Sequence, residues 1–362
     1  MIAGASGNAV PLTVTPLAQP PVTAAPVALT MGDPAGIGLE IALKAWLQRA
    51  HHELTPFCFY GNAGSLRARA AAFKLDVPVT VVDDPRDASA VFARALPVRD
   101  IALAAPAVAG EPSSGHAAAI ISAISNAVAD ARAGLVRAVV TNPISKTVLY
   151  EAGFKYPGHT EYLAHLAANE WPGGSYHPVM MLAGGGLKVV PLTIHVPLKD
   201  VPALLTRDLI IATVRILTDA LHRDFGISRP RIAVAGLNPH AGEAGAIGIE
   251  DRDIIAPAIA ALAAEGFDIT GPLPADTLFH ASARQTYDAA LCMYHDQALI
   301  PVKTLAFNSG VNVTLGLPFV RTSPDHGTAF DIAKQGVASP LSLVEALRLA
   351  STMSQRRALL PV

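Results

Sequence analysis

The 362 residues are 51% hydrophobic and 15% charged, with a formal net charge of −2. That length fills one large α/β domain or two smaller ones, and a charge so near zero leaves no footprint for nucleic acid or an anionic membrane. Two cysteines, Cys58 and Cys292, each within an apolar run, exclude a disulfide framework and fit the reduced core thiols of a cytoplasmic protein.

Residues 1–26 are rich in Ala, Pro and Thr, and the first basic residue is Lys44. Lacking the positive start of a secretory signal and the arginines of a transit segment, the stretch reads as a disordered extension. From residue 27 onward, short runs of Val, Ile and aromatic residues alternate with segments of helical period. Strands are predicted over 27–31, 56–60, 79–82, 137–141, 189–194, 231–237, 288–294 and 310–315; several are apolar at consecutive positions, as strands covered on both faces are. Helices are predicted over 115–133, 208–222, 251–265 and from Ser339–Pro340 to about Ser354. In the first of these Ile120, Ile121, Ile124 and Val128 share a stripe, Ser113 or Ser114 can cap the start, and Gly134 can end it. No apolar run is long and Pro-free enough to span a bilayer. The alternation predicts mainly parallel sheet with helices on both faces, and ligands at the carboxyl ends of its strands.

Those strand ends carry the polar residues of interest. MGDPAGIGLE (31–40) joins the first strand to the first helix, its glycines permitting a tight turn and close approach to a ligand. His159 in YPGHTEYL precedes a helix that Thr160 can cap. His195 closes the run LTIHVPLKDV, and Pro197 stops it. In LNPHAGEAGAIGIED, His240 and Glu243 occupy a Gly-rich turn, and YDAALCMYHDQALIPVKTLAF (287–307) runs from an apolar strand into His295 and Asp296 and on to Lys303. A lone histidine is more often structural than a ligand. Three of them at strand-to-loop boundaries, if they converge, make a site for a borderline divalent ion such as zinc, with positions open to substrate. Asp296, and Asp276 in GPLPADTLF, are either turn-forming carboxylates or partners that fix a ligand histidine or move a proton. Lys303, Asn312 and Arg321 stand beside bends in a stretch of low charge, a pattern suited to holding an anion. RTSPDHGTAFDIAKQG (321–336) reads as a long polar loop whose amides and Asp331 could hold an adenosine moiety, or as ordinary surface. No G-x-G-x-x-G follows a strand, so a Rossmann site is not supported.

Taken together, MGDPAGIGLE, TNPISK (141–146), GHTEYL, the His195 segment, LNPHAGE, GPLPADT, YHDQALIPVK and GVNVTLGLPFVRTSPDHGTAFDIA resemble the 4-hydroxythreonine-4-phosphate dehydrogenase family of vitamin B6 biosynthesis, over residues 27–355. The resemblance implies an isocitrate/isopropylmalate dehydrogenase type of fold, with two α/β/α domains around a cleft. One would comprise 27–140 with 305–362 and carry the nucleotide loop; the other, 141–304, would carry the metal ligands and the interface of a homodimer. It also implies a metal held by His195, His240 and His295, the third delivered across the subunit boundary, with zinc foremost and magnesium or cobalt as alternatives. A small phosphorylated substrate would lie on His159, Thr160, Lys303, Asn312 and Arg321, and NAD or NADP on Asp325, His326, Gly327 and Asp331. Proton transfer would fall to Asp276, Asp296 or Lys303. The implied activity is oxidation of 4-phosphooxy-L-threonine followed by decarboxylation. Two alternatives stand beside it: a dehydrogenase of 4-phospho-threonate or 4-phospho-erythronate, and a zinc hydrolase using Glu243. The chain departs from the family pattern at Leu39, where proline is usual, and at Lys334, where glycine is usual.

Overall fold

The computed structural model describes residues 25–156, 158–174 and 176–359. The predicted extension over 1–26 lies outside them except for Ala25 and Pro26. Both of these are buried, and the Pro26 carbonyl accepts from the Arg137 amide at 3.0 Å, so ordered chain begins before residue 27.

Among the described residues twelve strands form one sheet. In chain order they are β1 (Val27–Thr30), β2 (Phe57–Gly61), β3 (Val79–Val81), β4 (Leu96–Asp100), β5 (Ala138–Thr141), β6 (Val179–Gly184), β7 (Leu187–Thr193), β8 (Arg231–Ala235), β9 (Asp268–Leu273), β10 (Ala289–Tyr294), β11 (Val311–Leu315) and β12 (Arg321–Pro324). Across the sheet they run β3-β4-β2-β1-β5-β12-β11-β6-β7-β10-β8-β9. Neighbours are parallel except where β11 meets β12 and β6, and where β6 meets β7. The helices are α1 (Gly38–Leu47), α2 (Ala63–Ala72), α3 (Ala88–Val91), α4 (Ala117–Arg132), α5 (Lys146–Glu151), α6 (His159–Glu170), α7 (Val201–Leu204), α8 (Arg207–Arg223), α9 (Ala256–Ala264), α10 (His295–Ala306) and α11 (Leu341–Leu359). None is long and apolar enough to cross a membrane.

Continuous apolar runs end up covered on both faces. Ala290 and Cys292 of β10 pack with Ala298, Leu299 and Val302 of α10, while Leu291 and Met293 face the large core on the other side. Both cysteines are buried and unpaired. Ser113 provides the start signal before α4, accepting from the Gly115 amide, and Gly134 follows the helix with φ +72°.

Four strands escape the periodicity. β6 turns into β7 through Gly185 and Gly186, both left-handed, a tight hairpin with no polar punctuation. β4 and β9 contain proline. β12 is the clearest correction: RTSP has a loop-like composition, yet all four residues are buried and paired between β5 and β11. The polar loop expected over 321–336 therefore begins only at Asp325. Both departures from the family pattern find ordinary places. Leu39 is buried in the core of α1, and Lys334 pairs with Glu111 at 3.0 Å on the surface.

Candidate active site

The carboxyl ends of β5, β7 and β10 open onto a cavity of about 500 Å³ that α6, β11 and β12 also line. It brings together His159, Thr160, His195, His295, Lys303, Asn312, Arg321, Asp325, His326 and Gly327. Those residues come from five separate stretches of chain, and the sheet order is what assembles them.

Arg321 is the electrostatic centre of this cavity. It is 3% exposed, its Nη1 donates to Thr314 Oγ1 at 2.9 Å and its Nη2 to Thr141 Oγ1 at 2.7 Å, and its Nε has no partner. No carboxylate pairs with it among the described residues. Burial draws the guanidinium down to about 10. An unpaired buried cation with an unused donor is an unfinished structure, and an anion completes it.

His159 is the first residue of α6. The N-cap is Gly158, which has no side chain to offer, so Thr160 is not the predicted cap and its hydroxyl is left to the cavity. Burial, and then the charges of Arg321 and Lys146, hold His159 neutral, and its Nε2 is buried without a partner. Lys303, eight residues along α10 from His295, pairs with Asp325 at 2.7 Å.

His195 and His295 sit at the ends of neighbouring parallel strands, and their ring centroids lie 5.7 Å apart. Three buried bonds fix that meeting. Thr193 Oγ1 donates to the Met293 carbonyl at 2.8 Å, and Gln297 accepts from the Met293 amide while donating to the Gly236 carbonyl. His195 itself is left-handed, φ +55°, which turns its ring towards the cavity rather than along the strand. Burial, then Lys146 and His295, hold its pKa below the ordinary imidazole value, which favours the neutral, ligating form. His295 Nδ1 donates to Asp296 Oδ1 at 2.7 Å, leaving Nε2 as a free donor atom. Asp296 lines a second chamber of about 240 Å³, which shares both histidines.

His240, Asp276 and Asp331 do not line this cavity. His240 belongs to a turn, His240 to Ala244, in which five successive residues have φ between 42° and 76°. Left-handed backbone costs about 1–2 kcal/mol at each non-glycine position. Buried Asp251 holds the turn in place, accepting from the Leu237 and Asn238 amides and from Asn238 Nδ2. The turn carries His240 outward, where Nδ1 donates to Glu243 Oε1 at 2.7 Å; Glu243 above all, with Asp276 adding to it, raises the ring's pKa. Among the described residues no three His, Cys, Asp or Glu side chains gather as a metal site within one chain. Within one chain, therefore, two of the three histidines come together, His195 and His295. His295 lies beside His195 of its own chain, and His240 stands apart from both.

Two charged cavity residues were passed over in the sequence, Lys146 and Glu161. Both lie inside stretches already singled out, Lys146 at the end of TNPISK and Glu161 in GHTEYL, where His159 and Thr160 drew attention instead.

A family model for the pyridoxal phosphate biosynthetic protein PdxA matches residues 52–350. The chain belongs to the PdxA family. It is 58% identical over 335 residues to the 4-hydroxythreonine-4-phosphate dehydrogenase of Methylorubrum populi, covering 92% of this chain and 95% of that one. With the enzyme of the same name from Bradyrhizobium diazoefficiens it shares 53% over 339 residues, 91% of this chain and 97% of the other. The crystal structure of the Klebsiella pneumoniae 4-hydroxythreonine-4-phosphate dehydrogenase superposes with a TM-score of 0.81 at 39% identity, covering 91% and 100% of the two chains. A terephthalate 1,2-cis-dihydrodiol dehydrogenase from Burkholderia xenovorans also matches, with a TM-score of 0.61, 32% identity and coverage of 91% and 98%. The mixed α/β fold with one large sheet is therefore that of solved PdxA-family dehydrogenases.

Proposed function

We propose that this PdxA-family dehydrogenase oxidises the secondary alcohol of 4-phosphooxy-L-threonine with NAD⁺ or NADP⁺, giving a β-keto acid that loses CO₂ to form 3-amino-2-oxopropyl phosphate. The observation that carries the reading is the buried, acid-free Arg321. In a cavity this size it calls for a small substrate with a strongly anionic end. The relatives' names supply the identity of that substrate.

Arg321, oriented by the Thr141 and Thr314 hydroxyls, takes the phosphate together with His159, Thr160 and Asn312. Binding energy at that remote end orients the reacting carbons against His195 and His295. These two imidazoles, with the partner's His240 as the third, are a donor set that suits a divalent ion, zinc before magnesium or cobalt. When bound, the ion supplies Lewis acidity to the substrate's hydroxyl and carboxylate. The nicotinamide cofactor supplies the hydride acceptor, with Asp325, His326 and Gly327 at the cavity wall and Asp331 further out. Of the three proton carriers expected, Lys303 alone lines the main cavity, and Asp325 beside it at 2.7 Å lets the pair hold or release a proton at the reacting hydroxyl. The homodimer follows from the same reading, because the exposed His240 needs a second copy of the chain to reach such a site.

The hydrolase alternative, with Glu243 beside His240 as its base, predicts turnover without nicotinamide and without NADH. The test is NADH formation from 4-phosphooxy-L-threonine by metal-depleted protein, with Zn²⁺, Mg²⁺ or Co²⁺ returned singly. Turnover that needs the ion supports the proposal. NADH from 4-phospho-threonate or 4-phospho-erythronate but not from the amino substrate would replace it with the related sugar-acid reading.

A further inference from the structure

Five charged side chains line the main cavity: Lys146, Glu161, Lys303, Arg321 and Asp325. Lys303 and Asp325 neutralise one another at 2.7 Å. Among the described residues neither Lys146, Glu161 nor Arg321 has an ion-pair partner. The cavity therefore offers two cations and one anion to whatever enters it. The substrate of the preceding section, on which this inference rests, carries two anions and one cation: phosphate, carboxylate and ammonium.

We propose that Glu161 receives the substrate's ammonium group and thereby selects an amino alcohol over its hydroxyl analogue. Glu161 is the third residue of α6, one turn from the cap and two residues from His159. Its Oε2 lies 3.3 Å, and the Lys146 Nζ 3.6 Å, from the point that a Cβ on Gly158 would occupy, so the missing side chain at 158 lets both charges approach one spot. Glu161 is also near enough to His195 to oppose, through its charge, the lowering of that ring's pKa. It thus lies close to the reacting end, at His195. The amino-bearing carbon is bonded to the carbon that is oxidised, on its carboxylate side and away from the phosphate, so the ammonium group comes to that same end of the cavity. A glutamate at this helical position can also reach back to the cap as a purely structural device. The two roles differ in what they predict for substrate choice.

The experiment compares kcat/KM for 4-phosphooxy-L-threonine and for 4-phospho-threonate, in which a hydroxyl replaces the amine, across wild type, E161Q and E161D. Glutamine keeps the shape and an acceptor oxygen for the helix start, so folding is preserved. E161Q is expected to lose roughly 30-fold more kcat/KM on the ammonium substrate than on the hydroxyl one, chiefly through KM, the scale of a hydrogen bond to a charged group. E161D, which keeps the charge on a shorter arm, is expected to retain part of the discrimination. Equal losses on both substrates would overturn the proposal in favour of the structural role. Wild-type protein inactive on both, or preferring the hydroxyl substrate, would overturn the functional reading itself. A wild type that prefers the amine beside an E161Q that prefers it equally would sink only the role of Glu161.

Discussion

Replacing Arg321 with methionine separates the cost of a buried charge from its use. Burial lowers the guanidinium to about 10, and at about 1.4 kcal/mol per pH unit the displacement from its ordinary range corresponds to about 3 kcal/mol held against the folded, ligand-free state. Because the pKa is depressed, that cost is present at every pH below the folded value and eases only as pH rises through it. Methionine removes the cost but strands the hydroxyls of Thr141 and Thr314, at about 1 kcal/mol each. The ligand-free variant is therefore expected to match wild type in urea denaturation to within about 1 kcal/mol. Phosphate should tell the two apart. Inorganic phosphate at a hundred times its dissociation constant should stabilise wild type by about 2.7 kcal/mol and R321M not at all, and turnover of the phosphorylated substrate should fall at least 100-fold. A variant that unfolds far more easily than wild type, yet is still stabilised by phosphate, would refute the view that this cation is kept for an anion.

If the ion is shared between subunits, H240A and H295A should each be inactive alone, with the unfolding midpoint of H240A unchanged because its ring is exposed. Mixing the two under conditions of subunit exchange should restore roughly a quarter of wild-type activity, since half the dimers then carry one complete site; no recovery would place all ligands in one chain. Away from the site, Asp224 is 1% exposed and accepts from Arg223 and from Arg357. Burial alone would raise its pKa, but those hydrogen bonds outweigh it and hold the carboxylate below its usual range. D224N should cost about 2–3 kcal/mol by leaving two guanidiniums around a neutral amide. The sign is that of a depressed acid: the contribution is complete above about pH 4 and lost as pH falls through the lower folded value, so variant and wild-type stabilities should converge in acid.

What could be read in the chain, and what could not, follows from how each signal arises. Burial on both faces writes itself into consecutive apolar residues, which is why β1, β2, β8 and β10 were visible, each to within two residues or so. β12 was invisible for the opposite reason. Its sequence, RTSP, is polar because it borders the cavity, and its place in the sheet depends on pairing not only with the preceding strand β11 but with β5, which lies far away in sequence. The same holds for the site. Arg321 stood out as a cation in a sparsely charged stretch. That it would be buried without an acid could not be known until β12 was placed between its neighbours.

The histidines make the limit of strand-end reasoning concrete. His195, His295 and His240 follow β7, β10 and β8, which are adjacent in that order, so a reading of strand ends puts all three along one edge of the sheet; Asp276 follows the neighbouring β9, a strand that was not predicted. Neighbouring strands lie about 4.8 Å apart. His195 and His295, within two residues of their strand ends, must then meet, and they do, at 5.7 Å. His240 comes five residues after β8, and over that distance the left-handed turn decides where the ring points. Composition hinted at a turn there through its glycines, yet four of the five left-handed residues are not glycine. Their strain is held by Asp251, eleven residues beyond His240 in the sequence. A ring held outward against such strain, when a relaxed turn would cost less, has the placement that a ligand offered to another subunit would need, and recovery of activity in the mixed dimers is the measurement that checks it.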